Sequence, residues 1–273
     1  MTYREALSQH VVAISTSDST DMSALGLSDQ HLRDAMTEIA RHLLALGARV
    51  VYGGDLRANG FTELLFELVA RHRRDADEGD ERASVLNYLA WPVHIQRPVH
   101  ELERLCADLK GVARLVLLDL QGQVLPMVER MLVPEHQPTD DEWERGLTAM
   151  RVAMFQITHG RIVLGGRVDQ YKGLMPGIAE ESLLALRGKQ PLFVIGGFGG
   201  CARDIAETLR MVSPWTNVHR SWVGRQAFES FSWRDLNNGL TEEENMVVAH
   251  TPHVDQAIAM ILRGLFRLKQ ISA

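Results

Sequence analysis

The chain has little of what would mark several common classes of protein. Its 273 residues hold two cysteines. Cys106 and Cys201 lack the paired spacing of a metal-ligand set, which speaks against a cysteine-based metal site and a disulfide scaffold. The apolar runs are far shorter than a membrane span. The opening residues MTYREALSQH have neither the basic nor the apolar region of a signal peptide, so the expected location is the cytoplasm, without a membrane partner. Positive charge is not in excess: 29 basic against 35 acidic residues leave a formal net charge of −6. That argues against a generally basic nucleic-acid binder and makes small molecules or proteins the default partners. Neither GxGxxG nor GxxxxGK[ST] follows the first apolar run, so the common dinucleotide and P-loop fingerprints are missing.

What is present is an alternation of short apolar runs with helical periodicity. VVAIS (11–15) reads as a buried strand. Leu32, Ala35, Met36, Ile39, Leu43 and Leu46 then mark a helix over about 28–46, which Gly47 is placed to end. Further strands are expected at 48–54, 84–91, 113–120, 160–166, 191–195 and 245–250. Helices are expected at about 98–109, 141–157, 177–187, 201–211 and 254–269. The fold class this predicts is α/β and Rossmann-like: a mainly parallel sheet of about seven strands with helices on both faces. Residues 1–273 read as a single domain. The mixed-charge stretch RHRRDADEGDER (71–82) reads as a solvated loop or a frayed helix end.

In such sheets ligands sit beyond the carboxyl ends of the strands, so the loops there carry the functional argument. STSDSTDMSALGLSD (15–29) is rich in hydroxyl groups, with Ser15 and Ser17 at its start. Glycine pairs follow three other strands: Gly53 and Gly54, Gly165 and Gly166, and the run Gly196, Gly197, Gly199 and Gly200. A glycine turn leading into a helix presents several N–H donors beside the positive end of a dipole, a cradle for phosphate. The same pairs also suit tight turns that hold nothing. Arg57, Arg167 and Arg203 follow the three glycine sets, and guanidinium groups suit phosphate. Each arginine could equally pair with a neighbouring carboxylate. Asp55 is a candidate for accepting from a ribose or base edge.

Cys201 sits at an expected helix start, where a nucleophile or a small packing residue would both fit. His250 and His253 have no supporting ligand cluster, so no metal is assigned. The segment 213–233 concentrates aromatic residues, which suits an oligomer contact, a cap over the crevice, or ordinary core.

Together, YGGDLRANGFTELLFELV (52–69), GGRVDQYKGLMPGIAEE (165–181) and PLFVIGGFGGCARDIAETL (191–209) resemble the SLOG superfamily. These are Rossmann-like domains that include cytokinin-activating phosphoribohydrolases, DNA-processing proteins and nucleotide-signalling sensors. The resemblance runs from Val11 to about Leu268. It implies binding of a nucleotide or NAD-derived ligand, such as ADP-ribose or a cyclic form of it, with no further cofactor required. It also implies a homo-oligomer and a separately encoded effector, or a place in a longer protein. In the hydrolase branch the loop PGGxGTxxE carries a catalytic glutamate. Here the candidate counterparts are 176–181, with Glu180 and Glu181, and 196–201, but neither has the GGxGT core, so N-glycosidic hydrolysis is the alternative and ligand sensing the leading expectation.

Overall fold

The computed structural model describes residues 5–54, 56–57, 60–74, 84–111, 113–215 and 220–272. The chain runs β1 (Val11–Ser17), α1 (Asp29–Ala45), β2 (Arg49–Gly53), α2 (Phe61–Arg74), β3 (Val85–Leu89), α3 (Trp91–His94), α4 (Val99–Asp108) and β4 (Ala113–Leu117). It continues through α5 (Met127–Arg130), α6 (Asp140–Ile157), β5 (Gly160–Gly165), α7 (Gly177–Arg187), β6 (Leu192–Ile195), α8 (Gly200–Thr208), α9 (Glu242–His250) and α10 (Val254–Ser272). Six strands form one sheet in the order β4-β3-β2-β1-β5-β6. β1 pairs with β2, β2 with β3, β3 with β4, and β5 with β6, all parallel. The result is an α/β, Rossmann-like sheet flanked by helices.

One expected strand is a helix. NMVVAH (245–250) lies in α9, whose start is fixed by a capping box: Thr241 accepts from the Glu244 N–H, and the Glu244 carboxylate accepts from the Thr241 N–H. Short apolar runs do not distinguish a strand from a buried helix segment, and here the cap and three acidic residues in the first turn decide it. Among the described residues the sheet therefore has six strands rather than seven. A second capping box, Thr139 with Glu142, starts α6 where the sequence predicts a helix.

Contacts between Cα atoms divide the chain into two compact units. The first is Met1–Ala13 with Ala40–Thr158 and the second Ile14–Ile39 with His159–Ala273. Val11, Ala13, Val51, Tyr88, Val116, Met150 and Met154 pack together in the first unit. In the second, Val163, Val194, Leu183, Leu186, Ile205, Trp222 and Phe228 belong to one cluster.

Two buried bases organise the first unit. Arg130 is fully buried and donates to the carbonyls of Val133, His94, Ile95 and Arg97 at 2.8–3.2 Å. His94, also fully buried, bonds through Nε2 to the Leu118 carbonyl at 2.8 Å, and its Nδ1 has no partner. Burial pushes the imidazole down to about 4, the Leu118 carbonyl opposing and the Arg130 cation assisting. The folded chain thus keeps His94 neutral at pH values where the unfolded chain protonates it. Its contribution is complete above pH ~6.5 and is lost as pH falls towards ~4, about 3 kcal/mol in all. Urea unfolding between pH 7 and 4 should show this slope in the wild type and a shallower one in His94→Gln. Equal slopes would remove His94 as its source.

Candidate functional site

The strand order reverses direction at β1, with β2 on one side and β5 on the other. Open α/β sheets place ligands at such a point, outside the carboxyl ends of the strands. Within the second unit three strand-end loops meet there. The Gly166 N–H donates to the Ser17 carbonyl at 2.9 Å, and the Cys201 N–H donates to the Gly166 carbonyl at 2.9 Å. The loop after β1 is also tied to α8, because the Gly200 N–H donates to Asp21 Oδ2 at 2.7 Å.

The glycines at these ends make room for the protein's own backbone. A Cβ on Gly200 would stand 2.4 Å from the Gly166 carbonyl oxygen, and one on Gly165 would stand 2.8 Å from that of Ser17. Gly196 and Gly197 are pressed against the Ala249 and Thr251 carbonyls, at 2.4 and 2.1 Å from their missing Cβ positions. Gly199 (φ +70°, ψ −153°) occupies a region open only to glycine and faces the Asp21 side chain.

Among the serines, Ser15 is buried and its Oγ accepts from Arg161 Nη1 at 2.6 Å. Arg161 in turn pairs with Glu181 at 3.1 Å, so the Glu181 carboxylate is committed to a buried cation; Glu180 beside it is buried on α7. Ser17 Oγ accepts from the Arg167 N–H at 3.3 Å. Arg167 is half-exposed and its guanidinium pairs with Asp18. Arg203 is buried instead: Nε meets Glu207 at 3.1 Å, Nη2 donates to the Ser213 carbonyl at 2.8 Å, and the guanidinium lies 4.8 Å from the Trp215 ring. Cys201 is fully buried, and burial first, with the Asp204 charge second, drives its thiol pKa far up. The thiolate is therefore withheld and the residue packs in the core.

In the first unit, Gly53 faces Met150 and Met154, and Gly54 faces Thr62 and Asn87. Thr62 Oγ1 and both side-chain amide atoms of Asn87 are buried without a hydrogen-bond partner. Arg57 is exposed, while Asp55 lies outside the described residues.

The sequence reading missed the residue that ties the second unit's site together. Arg220 donates from Nη1 to Asp21 at 2.8 Å, from Nη2 and Nε to Asp204 at 2.7 and 3.2 Å, and from Nη2 to the Gly200 carbonyl at 3.3 Å. Burial alone would lower its pKa, but Asp204 and Asp21 outweigh burial and hold it above the ordinary value. Arg220 also lines an open groove of about 1460 Å³ with Tyr171, Arg210, Val223, Gly224 and Arg225. Its only sequence signal was its place in the aromatic segment 213–233, of which 216–219 lie outside the described residues.

The match to a known family agrees with this geometry. The family described as SLOG cluster 2 matches residues 6–233, most of the chain. The chain belongs to this family. No curated protein matches it. The SLOG match covers β1 through β6, α8 and the segment that supplies Arg220. Among the described residues no group of three His, Cys, Asp or Glu side chains could hold a metal ion. No described helix is long and apolar enough to cross a membrane.

Proposed function

We propose that this SLOG protein binds a nucleotide or NAD-derived ligand and reports its presence, acting as a sensor rather than a catalyst. The observation that carries the reading is the meeting of the loops after β1, β5 and β6 beside the strand-order reversal, with Arg167 and Arg220 at their rim. Backbone N–H groups at such turns and guanidinium groups recognise phosphate. In this reading Ser17, Gly165, Gly166, Arg167, Gly199, Gly200 and Arg220 would contact the ligand. Arg203, Gly196 and Gly197 act from behind by holding α8 and its turn. A homo-oligomer and a separate effector would receive the signal, since only a difference in affinity between two states can transmit it. The Arg161 pairing of Glu181 supports sensing over N-glycosidic hydrolysis.

The test is ultrafiltration of the purified protein with AMP, ADP-ribose, cyclic ADP-riboses, NAD and cyclic dinucleotides, followed by mass spectrometry of the retained and free fractions. Retention of one intact nucleotide is the expected outcome. Release of free base with ribose phosphate would replace the sensor with a hydrolase.

A further inference from the structure

The loop after β1 carries two carboxylates, and each is held by an arginine at the rim of a glycine turn. Asp18 pairs with Arg167. Asp21 pairs with Arg220 at 2.8 Å through one oxygen and accepts from the Gly200 N–H at 2.7 Å through the other. Asp21 therefore takes up donors from a guanidinium and from the first residue of α8, the donor set that suits a phosphate oxygen. The two pairs differ in setting: Asp18 and Arg167 are 47% and 42% exposed, Asp21 and Arg220 17% and 29%. The outer pair is screened by water and holds weakly; the inner one holds the loop.

We propose that the Asp21–Arg220 bridge is an internal latch on the ligand site. The Asp21 carboxylate keeps Arg220 and the Gly200 N–H engaged until an anion displaces it. The latch rests on the nucleotide reading above and adds how that site is regulated. Arg220 faces the large groove, so an anion arriving there competes directly with Asp21. When it wins, residues 18–27 lose their tie to α8 while Arg220 keeps Asp204, its second carboxylate. Ligand charge is thereby converted into release of one loop, and the affinity observed is the intrinsic affinity multiplied by the unlatched fraction of chains.

The test compares the full-length wild type with Asp21→Asn and Arg220→Gln by calorimetric titration of inorganic pyrophosphate and of ADP-ribose. Thermal unfolding confirms that each variant folds, and Asp21→Ser replaces Asp21→Asn if it does not. Asn keeps the shape and an acceptor for the Gly200 N–H but loses the charge that holds Arg220. D21N should bind the probes about tenfold more tightly than the wild type, because removing the competing charge frees Arg220. R220Q should bind more weakly than the wild type. Those opposite signs would not arise if both residues only supported the fold. Wild-type binding with D21N no tighter would overturn the latch and leave the nucleotide reading standing. Failure of wild type and D21N to bind either probe or any nucleotide of the panel would overturn both.

Discussion

Gly200→Ala should cost about 2–5 kcal/mol, the sum of a left-handed backbone penalty of ~1–2 kcal/mol and an overpacking cost of ~1–3 kcal/mol. The residue sits at φ +65°, and its new methyl group would stand 2.4 Å from the Gly166 carbonyl oxygen and 2.7 Å from the Gly165 carbonyl carbon. Neither neighbour can move cheaply. Gly166 accepts from the Cys201 N–H and donates to the Ser17 carbonyl, so relief of the clash would break the junction of three loops. At ~2–4 °C per kcal/mol the melting temperature should fall by about 10 °C. Gly26→Ala is the control, because Gly26 has φ +70° with nothing within 4 Å of the added methyl group. It bears the backbone penalty alone, about 1–2 kcal/mol. If the two variants melt within a degree of each other, the packing of α8 against the β5 turn is not what demands glycine.

The same glycine shows where reading from sequence succeeds and where it stops. Gly200 stands out because four glycines in five positions break the strand-to-helix pattern, and the helices expected at about 98–109, 141–157 and 177–187 are found at Val99–Asp108, Asp140–Ile157 and Gly177–Arg187. What approaches the glycines was not visible. Gly196 and Gly197 meet Ala249 and Thr251, and Gly200 meets Gly166, pairs distant in the chain and adjacent only after folding. Arg203 has the right residue type beside the right turn, yet its spacing of four from Glu207 places both on one face of α8, where they pair. Arg220 shows the opposite case. It follows no glycine turn, but its partners Asp21 and Asp204 are brought to it by tertiary packing alone. In α9 the deciding signal is in the sequence, where Thr241 and Glu244 spell a capping box ahead of the apolar run.

Asp204 is the residue on which the Arg220 arrangement depends most. It is nearly fully buried on α8, and its two oxygens accept from Arg220 Nη2 and Nε at 2.7 and 3.2 Å and from Trp222 Nε1 at 2.9 Å, with Arg225 Nη1 at 3.8 Å. Only a carboxylate offers so many acceptor positions in one short side chain and a charge to offset two guanidinium groups. Asp204→Ala removes the anion, but Arg220 keeps Asp21, Arg225 keeps Glu207 and both line the open groove, so the cost should fall below the ~3–5 kcal/mol of a buried pair that loses one member, at about 2–3 kcal/mol. Asp204→Asn keeps an acceptor for the Trp222 N–H and should cost less than Asp204→Ala, with the deficit falling on Arg220. Urea unfolding gives the two energies, and amide exchange over 220–228 locates the loss, because this segment is held to α8 through Asp204, Glu207 and Thr208. An Asp204→Ala cost below about 1 kcal/mol would place the pair among weak surface bridges. The Arg220 guanidinium would then be held by Asp21 and the Gly200 carbonyl, and an anion that displaced Asp21 would loosen the arginine together with the loop instead of separating them.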